Sequence, residues 1–183
     1  MRKQFVPYRK RPKVFFDVET TGTIPGFHEI TELGFSHDVK GEWALRVQPE
    51  FMERAVPKAL AVGHYNERDW AGAPSLRSVW ETVCDWLEDT IIVGHDLPRF
   101  DINILAGEAR MKELDDERVS RAYECTRCLA MTHLVPRGLK ATGLGAVCDY
   151  YEISNEGAHH ALEDVRRCKQ VYYRITNGQQ EMF

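Results

Sequence analysis

The chain has 183 residues, 43% of them hydrophobic and 28% charged, which is ample for one buried core and leaves little room for a second domain. No apolar run approaches the roughly 20 residues of a membrane-spanning helix, and the basic N-terminus lacks the apolar segment of a secretory signal. No membrane partner and a cytoplasmic address are therefore expected, and a net charge of −4 excludes nucleic-acid binding by bulk positive charge alone.

Local charge is distributed less evenly. Residues 1 to 13 hold Arg2, Lys3, Arg9, Lys10, Arg11 and Lys13 with no acid among them, so residues 1–12 read as a basic arm. Such an arm suits contact with phosphates, and equally a solvated tail. Val14 to Val18 is a short apolar run ended by Thr20-Thr21-Gly22, the pattern of a central strand. Ile30 to His37 and Trp43 to Val47 read as two further strands, with a hairpin-like turn at Lys40-Gly41. Ser75 caps a helix whose apolar face carries Leu76, Val79, Val83, Trp86 and Leu87. Ile91 to Val93 is a fourth strand. The next helix is expected to start at Pro98 and to carry Phe100, Ile104 and Met111.

A strand around Ala122 to Cys125, a helix near Leu129 and a short helix from about Thr142 follow. In the last helix Ala161, Val165, Cys168, Tyr172 and Ile175 form one apolar stripe, with Arg166, Arg167, Lys169 and Gln170 assigned to solvent. Asn177-Gly178 is read as its stop, leaving 177–183 as a tail. Three antiparallel-start strands followed by parallel helical crossovers predict an α/β fold: a mixed five-stranded sheet flanked by helices. Five cysteines at irregular spacings do not form a disulfide framework. Cys125 and Cys128 make one Cys-x-x-Cys with no second pair to complete a zinc site, and are expected to be small core residues.

The acids carry the chemistry. Asp17 and Glu19 stand two apart on one face of a strand, at the C-terminal end where open α/β sheets place their ligands. Asp101 follows the fourth strand beside an apolar helix stripe, and Asp164 lies one turn from Ala161 and Cys168. Carboxylates on buried edges are costly unless a cation neutralises them, and a hard divalent ion such as Mg²⁺ prefers such oxygens. Four acids with His159 nearby form a constellation suited to two ions about 3.5–4 Å apart acting on a phosphodiester.

In order, Asp17 to Gly22 (Asp-x-Glu-Thr-Thr-Gly), His95-Asp96 with Phe100-Asp101, and His159-x-Ala161-x-x-Asp164 resemble the three motifs of the DEDDh 3′→5′ exonuclease family. That ribonuclease-H-like group includes the proofreading subunit of bacterial DNA polymerase III. The similarity runs from about residue 13 to 175, with Glu29 to Gly34 resembling the family's second strand, and makes 13–176 the exonuclease domain. One departure is Asp96, where the family commonly has asparagine.

The resemblance implies that Asp17 bridges two Mg²⁺ or Mn²⁺ ions. Glu19 and Asp164 complete one ion's shell, Asp101 holds the other, and His159 is the general base. Phe100 would pack near the terminal base and the backbone at Thr20, within Thr20-Thr21-Gly22, would meet the 3′-hydroxyl. The implied activity is removal of nucleoside 5′-monophosphates from 3′ ends of DNA, in replication or proofreading. An exoribonuclease, an inactive nucleic-acid-binding module and an endonuclease of the same fold are the alternatives. Gln179 to Phe183 resembles a peptide that docks on the sliding clamp, except that Gln180 stands where leucine is usual.

Overall fold

The computed structural model describes residues 7–180. Within the basic arm, Tyr8–Lys10 forms a 3-10 turn, and the Tyr8 hydroxyl donates to Glu124 Oε1 at 2.9 Å. Residues 1–6 of that arm lie outside the described part, as do residues 181–183 of the expected docking peptide.

The elements run β1 (Lys13–Thr20), β2 (Ile30–His37), β3 (Gly41–Arg46), α1 (Pro57–Val62), α2 (Glu67–Trp70), α3 (Leu76–Leu87), β4 (Ile91–Gly94), α4 (Asp101–Met111), β5 (Tyr123–Cys125), α5 (Thr126–His133), α6 (Leu144–Tyr150) and α7 (Ala161–Gln180). The five-stranded sheet has the order β3-β2-β1-β4-β5. β1 pairs antiparallel with β2 and parallel with β4, and β4 is parallel to β5. This is the mixed five-stranded sheet expected from the element order. Among the described residues, no helix is long and apolar enough to cross a membrane.

Strand alternation divides the interior. Val14, Phe16 and Val18 face a core built with α3 and α4, including Trp80, Val83, Leu87, Ile104 and Leu105. Phe15 faces the other way, against Val165, Cys168 and Tyr172 of α7. Asp17 and Glu19 continue the Phe15 face, so the surface that packs α7 at one end of β1 carries carboxylates at the other. Opposite Asp17 in the β1–β2 register stands Gly34, and a Cβ there would lie 2.5 Å from the Ala161 backbone carbonyl. The missing side chain lets the N-terminus of α7 rest directly on β2 beside Asp17.

Three sequence expectations are corrected. α4 starts at Asp101 rather than Pro98. Asp96 takes a left-handed φ of 67° and its carbonyl accepts from the amides of Arg99 and Phe100, closing a separate turn before the helix. α7 continues through Asn177-Gly178 to Gln180, because one glycine costs a helix only about 1 kcal/mol and buried Val171 and Ile175 anchor that end. Cys128 is exposed and only Cys125 is buried, so the pair is not a core pair.

Gly34→Ala is expected to destabilise the protein by about 1–3 kcal/mol, since helix and strand must separate to admit the methyl group. Urea unfolding of the variant measures this, and an unchanged midpoint would show that α7 does not rest on β2 there.

Candidate active site

One cleft of about 460 Å³ opens at the C-terminal end of β1. Asp17, Glu19 and Thr20 enter it from β1, His95, Phe100 and Asp101 from the β4–α4 connection, and His159 and Asp164 from the start of α7. The four acids and the histidine singled out in the sequence, separated by up to 147 positions (164 − 17), therefore line one cleft. Glu19, His159 and Asp164 each place a ligand atom within 4.8 Å of the others.

Each carboxylate is fixed differently. Asp101 is 2% exposed and its Oδ1 accepts the Val18 amide at 3.2 Å, which ties α4 to β1 across the site. Asp164 accepts from the His159 amide at 3.2 Å, folding the histidine loop back onto its own helix. It also pairs with Arg167, which is buried rather than facing solvent as the helix pattern suggested, and whose Nη1 donates to Asn155 Oδ1 at 2.7 Å. A β-bulge between Glu19 and Thr20 ends the regular β1–β2 pairing at the cleft.

Burial and mutual repulsion dominate the electrostatics. Burial, then Asp101, Asp164 and Glu19, raise Asp17 well above the usual carboxylate range, with Arg167 opposing. Burial, then Asp164 and Glu32, push Glu19 up to about 8. Burial pushes Asp101 up to about 7, although its backbone hydrogen bonds pull it down. These groups hold protons that acids in water release. The donor set is thus a crowd of hard oxygen ligands with one imidazole: residues that fit divalent cations of the Mg²⁺ or Mn²⁺ type.

Of the expected substrate contacts, Thr20, Gly22 and Phe100 line the cleft and Thr21 does not. The Thr21 hydroxyl accepts from Glu29 N at 2.9 Å and its amide donates to Glu29 O at 2.8 Å, so it anchors the return of the chain into β2. Asp96 does not line the cleft and pairs with Arg127, whose Nη1 lies 2.5 Å from its Oδ2, while its charge adds to the rise of Asp101. His95 beside it is bonded at both ring nitrogens, to Thr126 Oγ1 and to Thr142 O, each at 2.9 Å. Burial holds His95 below the usual imidazole range.

The opposite wall was missed from sequence. Val56, Lys58, Ala59 and Val62 of the α1 segment line the cleft. The signals were local: Pro57 at the first helical position and Asn66 as the cap of α2, accepting from Asp69 N at 2.9 Å. α1 is held close because Gly63 lies against Glu19, where a Cβ would sit 3.0 Å from Oε2. Next to it, His64 stacks on His160 with ring centroids 4.6 Å apart and contacts Ala158 O at 3.4 Å, bracketing His159 on both sides.

Residues 14–172 match the family model described as exonuclease, of the RNase T type. The PolC-type DNA polymerase III of Caldanaerobacter subterraneus subsp. tengcongensis is 23% identical over 173 residues, covering 92% of this chain and 12% of that protein. E. coli exonuclease I in complex with a dT13 oligonucleotide superposes with a TM-score of 0.81 at 15% identity, over 95% of this chain and 43% of that one. The zinc-bound form of the E. coli exonuclease I complex with single-stranded DNA also gives 0.81, at 16% identity over 93% of this chain and 41% of that one. The chain thus spans under half the length of these relatives, and at such identities the superpositions show a shared fold.

A carboxylate raised by folding keeps its proton in the folded state after the unfolded chain has released it. Between about pH 4 and the raised values near 7 and 8, the metal-free folded protein binds more protons than the unfolded one, so its stability falls as pH rises. Thermal midpoints in EDTA should therefore decline from pH 5.5 to 8.5. Asp101→Asn keeps an acceptor for the Val18 amide and should flatten that decline; a steeper one would contradict the assignment.

Proposed function

Because the chain belongs to the exonuclease family whose model spans residues 14–172, we propose that it removes nucleotides one at a time from 3′ ends of DNA. The observation that carries this reading is the meeting of Asp17, Glu19, Asp101, Asp164 and His159 in one cleft. DNA is taken as substrate because the superposed exonuclease I structures hold dT13 and single-stranded DNA. The likeness to a PolC-type DNA polymerase III supports replication or proofreading as its setting.

Asp17, Glu19, Asp101 and Asp164 would hold two divalent cations. Such ions, when bound, stabilise charge on the attacking and leaving oxygens of a phosphodiester. The rest falls to the chain's own side chains. His159 sits on a loop at the cleft rim, exposed and with a left-handed φ of 66°, a strained backbone fixed by the Asp164 carboxylate and the His64 bracket. Its imidazole takes one proton from the attacking water. The bond from phosphorus to the 3′-oxygen of the preceding nucleotide breaks, that oxygen gains a proton, and a nucleoside 5′-monophosphate leaves. Phe100 on one side and Val56, Ala59 and Val62 on the other give apolar walls for the terminal base and sugar, which favours indifference to base identity. Lys58 on the rim offers a cation to the phosphate backbone.

Digestion of 5′-labelled single-stranded DNA with Mg²⁺ or Mn²⁺ tests the proposal. Wild type should shorten the strand stepwise and leave closed circles intact, and Asp17→Ala should be nearly inactive. His159→Ala should lower turnover by roughly 10²–10⁴ with metal binding retained. Full activity of the His159 variant at neutral pH would overturn the base assignment, and faster loss of a matched RNA would move the substrate to RNA.

A further inference from the structure

The Cys125-Thr126-Arg127-Cys128 segment has no part in the chemistry above, yet it is attached to it. Cys125 is the N-cap of α5, and its sulfur accepts the Cys128 amide at 3.4 Å. The neighbouring Cys125 thiol, together with partial burial, raises the Cys128 thiol above its usual range. Residues three apart on a helical turn are neighbours, within the Cα separation of about 7 Å that a disulfide requires. Cys128 is exposed, whereas Cys84, Cys148 and Cys168 are buried.

The two residues between the cysteines bear on the cleft at one remove, through His95, which lines it, and the neighbouring Asp96. The Thr126 hydroxyl meets His95 Nδ1 at 2.9 Å and donates to Gly94 O at 3.2 Å. Arg127 holds Asp96 through Nη1 at 2.5 Å, and its Nε donates to Thr142 Oγ1 at 3.3 Å. Thr142 O is the partner of His95 Nε2 at 2.9 Å. The side chains supporting His95 and Asp96 thus hang from the turn that a Cys125–Cys128 bridge would clamp.

We propose that Cys125 and Cys128 form a reversible intramolecular disulfide whose formation alters the cleft through Thr126 and Arg127. The oxidant is a low-molecular-weight disulfide. The exposed Cys128, as thiolate, attacks one of its sulfurs and releases one small thiol. Cys125 then attacks the Cys128 sulfur of the mixed disulfide and releases the second. Two protein thiols and one small disulfide become one protein disulfide and two small thiols.

The rate effect rests on the proposed nuclease activity; the bridge does not. The full chain is incubated with excess oxidised glutathione, alkylated and cut with trypsin. Cleavage after Arg127 separates the cysteines, so a bridge leaves peptides 122–127 and 128–137 joined at their summed mass less two hydrogens. Joined peptides are expected, with turnover down about tenfold and restored by dithiothreitol. Cys128→Ser should keep the reduced protein's activity and lose the response. Finding the peptides unjoined, or only a glutathione adduct on Cys128, overturns the disulfide. Joined peptides with unchanged turnover overturn the link to the cleft. A protein without nuclease activity in its reduced state would sink the functional reading and leave the peptide test standing.

Discussion

The structure is organised around a repulsion. Four carboxylates converge where β1 leaves the sheet, and burial together with their mutual charge drives Asp17, Glu19 and Asp101 toward their protonated forms. No packing preference would assemble such a group, because removing carboxylates from water without compensation costs several kcal/mol each. The fold holds it by anchoring each acid from a different element. Asp17 and Glu19 ride on a central strand, Asp101 is bonded to the Val18 amide, and Asp164 is paired with Arg167 on a helix seated directly over Gly34. The stored unfavourable charge is what a bound cation relieves.

Support for the far wall is also ionic. Lys112, at the end of α4 and only 6% exposed, has its Nζ 2.7 Å from both Glu29 and Glu50 and 3.6 Å from Glu108. Glu29 in turn accepts the amides of Glu50 and Phe51 at 2.9 and 2.7 Å, and Glu108 accepts that of Ile30 at 2.6 Å. This cluster, buried except for Glu50, joins the start of β2, the end of α4 and the loop leading to α1. From there the Val56 amide donates to Thr21 O at 2.8 Å, seating α1 across from the acids. Removing Lys112 would strand the buried Glu29, the costly case for such networks.

What could be read from the sequence follows from periodicity. The two-residue spacing of Asp17 and Glu19 on an otherwise apolar strand, and the position of Asp164 beside the α7 stripe, placed these side chains on inward faces before any coordinates. Asp101 was located by its apolar helix neighbours. Periodicity failed where a side chain's partner is distant in the chain. Arg167 scores as a surface residue on α7, yet it is drawn inward by Asp164 and Asn155. Thr21 sits inside the first motif but turns its hydroxyl to Glu29. Lys112 and its three acids, and the α1 wall, are long-range assemblies with no local apolar pattern, although Pro57 and Asn66 marked the helices.

The proposed role of this acidic cluster is to hold divalent cations, with Asp17 among the carboxylates that would bind them. Calorimetric titration of Mn²⁺ into the metal-free protein, in the presence of a nucleoside 5′-monophosphate, addresses it most directly. Two ions per chain are expected for the wild type, and loss of both in Asp17→Ala. Binding that is absent in the wild type, or unaffected in Asp17→Ala, would contradict it.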